Sequence, residues 1–408
     1  MGTTCSLYIH IPFCARKCGY CAFYSVPVSP SEAAALSGSY VNALINDITR
    51  QIEFFSVSCI PTIYIGGGTP SVLSRAAMER LLAFLAALPV DTAHPVDAAR
   101  EWTVEANPES VDADFLRMCK AHGVTRISAG VQTFNDASRA AIGRAGSAAL
   151  VMEKLACIAD VYADDFSCDL ISGLPCSSPE QTARDIRQVA ALGAGHISLY
   201  DLTLEEGTPL WQAAARGRAA LPDADAACAA WLSGRKTLAV LGYRQYEVSS
   251  FARAGKECLH NQRYWRMESW LGAGAAASGT VIDDAAARGT RYSCAWDAGA
   301  YAAVLGQPRA GQGALAPLYA EEALDRPTLM QESLLMGMRA TGGPDAALFR
   351  QRFSVTLESR IPGTLAKWRS RSLMHPVLPA LNDSGLLFLN AFLRDAFAEI
   401  EGQSGASI

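Results

Sequence analysis

Residues 10–25 read HIPFCARKCGYCAFYS and contain three of the twelve cysteines of this 408-residue chain. These three residues, Cys14, Cys18 and Cys21, have the spacing C-x-x-x-C-x-x-C and directly follow a short apolar run. Thiolates are soft ligands that suit iron–sulfur clusters and zinc. Gly19 gives the loop the backbone freedom that it needs to wrap around one metal centre.

Three cysteines leave one iron of a 4Fe-4S cluster without a protein ligand. Ordinary electron-transfer clusters are fully ligated by protein side chains, whereas an incomplete ligand set leaves a metal open to a small molecule. The open iron could bind the amino and carboxylate groups of S-adenosylmethionine (SAM), and an electron from the cluster could then cleave its sulfonium bond. The motif therefore predicts a 4Fe-4S cluster with SAM as its partner.

A zinc site is the alternative interpretation of this loop. Zinc usually takes four ligands, often from two C-x-x-C pairs, and the sequence has no second pair, although His10 could supply a fourth ligand. The other nine cysteines are scattered singly, which is typical of small buried side chains.

Strand-like and helix-like segments alternate through the first half of the chain. Parallel strands need crossover helices between them, so this alternation predicts an α/β fold with a parallel sheet. Six βα units are too few for a closed eight-stranded barrel, and we expect a partial (β/α)6 TIM-like barrel. The predicted strands are 7–11, 62–65, 102–106, 126–131, 166–171 and 196–201, and the predicted helices between them are 39–55, 76–88, 112–122, 148–160 and 179–192.

The pattern changes after Glu206, which predicts a second region. We expect a core unit over residues 1–284, with the partial barrel at about 6–206 and an extension behind it. Helical spacing returns at 330–339, 346–353 and 388–400. A smaller, mainly helical C-terminal domain is therefore expected over residues 285–408.

Composition excludes some classes of function. The formal net charge of −5 gives no electrostatic footprint for nucleic acid. No apolar run approaches the ~20 residues that a membrane span needs, and the first residues lack the pattern of a signal peptide. We therefore expect a cytoplasmic protein with reduced cysteines.

Motifs beyond the cysteine loop make the chain similar to the radical SAM superfamily. Within it, the chain resembles the anaerobic coproporphyrinogen III oxidase family and its subgroup of HemW-type haem chaperones. The resemblance covers nearly the whole chain and is strongest from Leu7 to about Gly279. The motifs are GGGTPS at 66–71, VEANP at 104–108, SAGVQTF at 128–134, DLISGLP at 169–175, HISLYDLTLEEGTPL at 196–210 and HNQRYW at 260–265.

The resemblance implies a set of SAM-binding residues near the cluster. Tyr20 would pack on the adenine, and the glycine amides would meet the amino acid end of the cofactor. Glu105 would accept a hydrogen bond from the ammonium or ribose, Arg144 would pair with the carboxylate, and Asp169 would contact the ribose. Taken alone, the charged residues could equally be solvated or salt-bridged, and the glycines a tight turn. The full set is Tyr8, Tyr20, Gly67, Gly68, Thr69, Glu105, Gln132, Arg144 and Asp169.

Two departures favour the chaperone subgroup over the oxidases. The oxidases carry a further cysteine where this chain has Phe23, and they have a longer segment ahead of the first strand. The HNxxYW element resembles the haem-binding motif of the chaperones. It implies haem contacts at His260, Cys258, Tyr264 and Trp265. The alternative is that His260 only ties a loop to the barrel by hydrogen bonds.

The resemblance implies a radical SAM chaperone that binds haem as cargo and delivers it to haem-requiring respiratory proteins, some of them at the membrane. Location at the periphery of the inner membrane and a homodimer are further expectations, and the electron donor is not specified. SAM cleavage is compatible with the cluster, and coproporphyrinogen oxidase activity is not expected. Two alternatives stay open, which are an oxygen-independent coproporphyrinogen III oxidase and a non-enzymatic protein with a structural metal site.

Overall fold

The computed structural model describes residues 2–89, 101–307 and 318–405. A twelve-stranded sheet dominates these ranges. The strands are β1 Ser6–Ile11, β2 Thr62–Gly67, β3 Glu101–Ala106, β4 Arg126–Gln132, β5 Phe166–Ser172, β6 His196–Asp201, β7 Arg244–Gln245, β8 Ser250–Ala252, β9 Trp270–Ala273, β10 Ser278–Asp283, β11 Arg288–Cys294 and β12 Tyr319–Leu324. Their order across the sheet is β7-β8-β6-β5-β4-β3-β2-β1-β9-β10-β11-β12. Short strand pairs outside this sheet join Thr3–Thr4 to Val57–Cys59 and Phe13–Cys14 to Val26–Pro27.

Helices connect the strands and form the C-terminal region. Across the described ranges, no helix combines the length and the apolar content needed to cross a membrane. The helices are α1 Pro30–Phe54, α2 Arg75–Ala86, α3 Ala113–Ala121, α4 Asp136–Ala141, α5 Ala148–Tyr162, α6 Pro179–Ala191, α7 Pro209–Ala215, α8 Ala224–Val240, α9 Leu259–Trp265, α10 Ala298–Leu305, α11 Arg326–Gly337, α12 Ala346–Phe353, α13 Leu357–Arg360, α14 Pro362–Ser370 and α15 Leu389–Gly405.

Strands β1 to β6 are parallel and follow one another across the sheet in chain order. Helices cross over between them and pack on the outer face of the barrel. Ile63 and Ile65 on β2 and Ile127 on β4 are accordingly fully buried. The expected partial (β/α)6 barrel is confirmed, with each predicted strand within two residues of its observed bounds.

The sheet continues on both sides of the barrel. On one side β9 pairs in parallel with β1, and β10, β11 and β12 follow as an antiparallel meander. On the other side β8 pairs antiparallel with β6 and with β7. Between β7 and β8, the Ser249 N–H donates to the Glu247 carboxylate at 3.0 Å, which closes a turn.

The C-terminal helices have a hydrophobic core of their own. This core joins side chains of α11 to α15 and also takes in Met267 and Ile282. Buried Arg352 ties α12 to the sheet region, because it donates to the Asp284 carboxylate at 2.7 Å and to the Met267 carbonyl at 3.0 Å. The expected domain boundary at residue 285 falls between the paired strands β10 and β11, so we propose that the helical unit begins at Arg326.

Gly68 allows the exit of β2 to approach the start of the cysteine loop. Its N–H donates to the Ile11 carbonyl at 2.8 Å. A Cβ at this position would lie 2.7 Å from the Ile11 oxygen and 2.8 Å from the Phe13 oxygen. Both atoms belong to the backbone, so they cannot move aside as the end of a flexible side chain could.

Replacing Gly68 with Ala should therefore lower the free energy of unfolding by about 1–3 kcal/mol, the usual result of overpacking. Chemical denaturation of the two proteins measures this difference. Gly38→Ala is the matched control, because a Cβ there meets nothing within 4 Å and alanine favours the α1 helix by about 0.5–1 kcal/mol. Equal stability of Gly68→Ala and the original protein would contradict the close approach.

Candidate functional site

The cysteine loop leaves β1 at its carboxyl end and is held at its base and its tip. At the base, Phe13–Cys14 pairs with Val26–Pro27. At the tip, the Gly19 N–H donates to the Ile142 carbonyl at 2.8 Å, and the Gly19 carbonyl accepts from the Leu210 N–H at 2.8 Å. The backbone of the protein therefore sets the path of the loop.

The three cysteines line one cavity of about 510 Å³, which we call the cysteine cavity. The Cys14 sulfur accepts a hydrogen bond from the Thr69 hydroxyl at 3.4 Å, and an Nη of Arg144 lies 3.6 Å from the Cys18 sulfur. Burial raises the pKa of the Cys14 and Cys21 thiols. A cationic metal centre would provide the charge that favours their thiolates.

Zinc and a 4Fe-4S cluster place different demands on these thiols. Among the described residues, no group of three or more His, Cys, Asp or Glu side chains is arranged to hold one metal ion. A zinc ion needs all its ligands within about 2.0–2.3 Å of one point, whereas a 4Fe-4S cluster takes each thiolate on a different iron. The three thiols that line this cavity would each meet a different iron of such a cluster.

Two partly buried carboxyl groups form the polar floor of the cysteine cavity. Glu105 accepts hydrogen bonds from the Tyr64 hydroxyl at 2.7 Å and from the Gly67 N–H at 3.0 Å. Burial raises the pKa of Glu105 to about 7, and burial also raises the pKa of Asp169 to about 6. A cationic ligand beside them would favour their ionised forms, so this floor suits a ligand with positive charge.

Arg144 provides the opposite charge on the same cavity. Its Nη2 donates to the Asn107 side chain at 2.9 Å and also bonds the Gly130 carbonyl. Its Nε is buried and has no hydrogen-bond partner within the described ranges. A buried donor without a partner is costly, and a ligand carboxylate would satisfy this one. The cavity therefore offers a cation for an acid group and carboxyls for a cationic group, which matches the zwitterionic, sulfonium-bearing SAM.

Gln132 lies at an irregular end of β4. Its φ is +70°, and the pairing of β4 with β5 shifts register between Gly130 and Gln132. A positive φ in a residue other than glycine is strained and persists where the surroundings hold it. This conformation helps to place Gln132 on the wall of the cysteine cavity.

The glycine run gives the cavity wall its shape. The N–H groups of Gly67, Gly68 and Thr69 are already used, because they donate to Glu105, to the Ile11 carbonyl and to the Phe13 carbonyl. Gly67 has a φ of +100°, and a Cβ there would lie 2.4 Å from the His10 ring. A ligand can therefore approach the backbone of this run closely, because no side chains stand in the way. The N–H groups of the run are already bonded within the protein.

The structure brings eight of the nine expected SAM residues to the cysteine cavity. They are Tyr20, Gly67, Gly68, Thr69, Glu105, Gln132, Arg144 and Asp169. Tyr8 lies elsewhere, because its hydroxyl bonds His10 Nδ1 at 3.0 Å and its ring stacks on Tyr64. Sequence reasoning missed Tyr64 and Asn107, although Asn107 lies in the quoted VEANP motif.

A second cavity of about 450 Å³ lies beside the cysteine loop, and we call it the aromatic cavity. It shares Ala22 and Phe23 with the cysteine cavity. Phe23 is 70% exposed and Trp296 is 68% exposed, which is unusual for such large apolar side chains. Aromatic walls of this kind suit a flat apolar ligand. The other aromatic walls are Tyr8, His10, Tyr24, Tyr264, Trp265 and Trp270.

His260 and Cys258 lie at the opposite end of the barrel from the cysteine loop. The Leu259 and His260 N–H groups donate to the carboxylate of Glu101, the first residue of β3, at 2.9 and 2.8 Å. The His260 Nδ1 lies 2.8 Å from the hydroxyl of Thr62, the first residue of β2. Helix α9 therefore closes the amino ends of the barrel strands.

Both residues are buried there and line neither the cysteine cavity nor the aromatic cavity. His260 is 1% exposed, and burial lowers its pKa to about 3, so the imidazole is neutral. Burial raises the pKa of the Cys258 thiol, whose sulfur lies 3.5 Å from Glu101. Tyr264 and Trp265 are the members of the HNxxYW set that reach the aromatic cavity.

Glu105 should make the stability of the protein depend on pH in a defined direction. Its pKa of about 7 in the folded state exceeds the ordinary value of 4.5. The folded state therefore binds more protons between these values, and stability is lost as pH rises through this window. Glu105→Gln removes this loss, so the melting temperature of the variant relative to the original protein should increase from pH 5 to pH 8.

Comparing the two proteins at each pH cancels the titration of groups that the substitution does not affect, such as the buried histidines, and leaves that of Glu105 and of its neighbour Asp169. Asp169→Asn should show the same trend at slightly lower pH, since the pKa of Asp169 is raised to about 6. A difference in melting temperature that stays constant with pH would contradict the raised pKa of Glu105.

Comparisons with known proteins agree with this geometry. The model of the radical SAM superfamily matches residues 8–189. The haem chaperone HemW of Escherichia coli K12 is 37% identical over 276 residues, which cover 68% of this chain and 70% of that protein. The haem chaperone HemW of Bacillus subtilis 168 is 30% identical over 372 residues, which cover 91% and 92%.

A solved structure shows the same fold over almost the entire chain. The coproporphyrinogen III oxidase HemN from Escherichia coli, a radical SAM enzyme, superposes with a TM-score of 0.77 over 97% of this chain and 90% of that chain. Its sequence identity is 22%, so this likeness concerns the fold alone. Given the identity to its curated relatives, the chain belongs to the radical SAM superfamily and, within it, to the family of the haem chaperone HemW.

Proposed function

We propose that this protein is a radical SAM haem chaperone. It would hold a 4Fe-4S cluster on Cys14, Cys18 and Cys21, bind SAM in the cysteine cavity and bind haem at the aromatic cavity. The observation that carries this proposal is the shared wall of Ala22 and Phe23 between the two cavities. One loop would thus carry a cluster beside an aromatic site.

The residues of the cysteine cavity fit SAM by charge. Arg144 would use its unpaired Nε for the SAM carboxylate, and Asp169 would accept from the ribose hydroxyls. Glu105 would stabilise the cationic end, while Tyr64 and Gly67 hold its carboxylate in place. Once reduced by an external electron donor, a bound cluster would supply the electron that cleaves the sulfonium bond of SAM.

Two observations support the proposal of haem binding, namely the names of the relatives and the lining of the aromatic cavity. Tyr264 and Trp265 would pack on the porphyrin face, because both already line that cavity. The ring of Tyr264 contacts His260 edge-on at 4.8 Å between centroids. His260 is neutral and its Nε2 has no partner within the described ranges, so its imidazole is free to ligate haem iron. Because the Tyr264 ring lies against it, Tyr264 would have to move first. Cys258 would lie behind His260 as a protonated thiol.

Delivery to a recipient is the remaining part of the proposal. Phe23 and Trp296 are exposed at the aromatic cavity, so haem bound there would be reached from outside the protein. We infer that the recipients are haem-requiring respiratory proteins. We also infer that this protein is cytoplasmic, meets its recipients at the periphery of the membrane and assembles as a homodimer. The relatives' names support the chaperone role, and the recipients are for experiment to identify.

Replacing any one of Cys14, Cys18 or Cys21 with Ala should abolish most of the iron–sulfur absorbance after anaerobic reconstitution. Two thiolates cannot hold a cluster that already lacks one protein ligand. Cys119→Ala is the matched control, because this cysteine is fully buried in α3 and lies outside the cysteine cavity. Recovery of zinc rather than iron and sulfide from the original protein would favour a structural metal site.

Trp265→Ala should weaken haem binding by about tenfold, which corresponds to ~1.4 kcal/mol of lost aromatic packing. His260→Ala should change the absorption spectrum of bound haem if the imidazole reaches the iron. Anaerobic haem titration measures both, and His122→Ala, at the end of α3, is the matched control.

Unchanged haem affinity in Trp265→Ala would contradict binding at the aromatic cavity. The reconstituted protein should form no protoporphyrinogen from coproporphyrinogen under anaerobic conditions. Formation of that product would favour the oxidase alternative instead.

A further inference from the structure

Arg139 on α4 is a buried cation whose hydrogen bonds are all made inside the protein. Its side chain is 2% exposed, and a guanidinium carries five N–H donors in a fixed plane. The five hydrogen bonds, at 2.5–3.2 Å, go to the carbonyl oxygens of Val131, Thr133, Ala145 and Gly146 and to the carboxylate of Glu109. Every donor therefore has an acceptor, and the acceptors come from three separate segments.

The acceptors lie directly beside two residues of the cysteine cavity. Val131 and Thr133 flank Gln132 in the chain, so Arg139 holds the carbonyls on both sides of its strained backbone. Ala145 follows Arg144, whose own N–H donates to the Arg139 carbonyl at 2.9 Å. Arg139 therefore sets the backbone conformation of both Gln132 and Arg144.

The third segment follows β3 and contains Glu109, and it packs against the turn at residues 144–146. The Glu109 carboxylate lies 2.6 Å from Arg139 Nη2 and balances its charge. Gly146 has a φ of +70°, and a Cβ there would lie 2.7 Å from Cγ of Glu109. This segment also includes Asn107, whose side chain accepts from Arg144 at 2.9 Å. The turn that presents Arg144 therefore cannot shift without breaking several of these contacts.

Arg139 does not itself line the cysteine cavity. Any effect of Arg139 on a ligand there must therefore pass through cavity residues beside its acceptors, chiefly Gln132 and Arg144 and also Asn107. A lysine would keep the charge, but it offers three donors from a single nitrogen and cannot span acceptors on three segments. The site requires an arginine for its shape and not only for its charge.

We propose that Arg139 is a positioning residue for SAM, which fixes Gln132 and Arg144 in the conformation that receives the cofactor. This inference rests on the proposed function, because it assumes that SAM occupies the cysteine cavity. Arg139 donates none of its hydrogen bonds to the three cysteines that would ligate the cluster, so the cluster should still assemble when Arg139 is replaced.

The test is the affinity of cluster-loaded, full-length protein for SAM, measured by anaerobic equilibrium dialysis. Arg139→Lys should raise the Kd for SAM at least tenfold, while iron and sulfide content stays at the original level. Arg117→Lys is the matched control, because Arg117 forms an exposed ion pair with Asp114. Dialysis well below the melting temperature of each protein separates affinity from stability.

Glu109→Gln provides a second variant, which keeps an oxygen acceptor for Arg139 and removes only the charge. It should weaken SAM binding less than Arg139→Lys does, and it keeps the inference testable if Arg139→Lys does not fold. A lower melting temperature with unchanged Kd in these variants would overturn the positioning role and leave a purely structural one.

A double-variant comparison tests whether Arg139 acts through Arg144. The Kd increase in Arg139→Lys/Arg144→Lys should be smaller than the product of the two single increases, because contacting residues that act together are not additive. A Kd increase equal to the product of the two single increases would overturn the proposal that Arg139 acts through Arg144. Original protein that binds no SAM would overturn the proposed function itself, whereas equal affinity of the original protein and Arg139→Lys would overturn only the role of Arg139.

Discussion

Two backbone hydrogen bonds hold the start of the cysteine loop against the exit of β2, and the functional site depends on them. They run from the Gly68 N–H to the Ile11 carbonyl and from the Thr69 N–H to the Phe13 carbonyl, both at 2.8 Å. Only a residue without Cβ allows the first of them. Because of this approach, Cys14 lies within reach of the Thr69 hydroxyl and opens onto the same cavity as Glu105 and Arg144.

The two ends of the barrel contain different chemistry, and one side chain links them. The cysteine cavity lies at the carboxyl ends of the strands, where barrel proteins build their sites, and α9 closes the amino ends. Tyr64 donates to Glu105 at the first end, and its ring lies 5.2 Å from that of His260 at the second. Moving α9 to expose His260 would therefore remove a contact from the residue that holds Glu105.

Local signals predicted the elements well but not all their ends. Helix α1 begins at Pro30, nine residues before the predicted start, because Ser29 and Glu32 form a capping box that could have been identified in the sequence. Residues 244–252 form two short strands, β7 and β8, rather than one, since Glu247 closes a turn between them. Tyr8 is on the expected strand, but its ring reaches the aromatic cavity, and no local pattern shows which cavity a strand residue will face.

The sequence alone determined the order of βα units, the cysteine triplet, the positions of Glu105 and Gln132 near strand ends and that of Asp169 within a strand. These features depend on the spacing of neighbouring residues, which the chain carries directly. Only the tertiary structure decided that the amides after β2 are already used, that His260 is buried, and that Arg139 meets five acceptors. Such facts depend on contacts between distant segments, as between Thr62 and His260, which are 198 residues apart in the chain. Their physical reason is that burial and hydrogen-bond satisfaction are properties of the packed chain and not of any one segment.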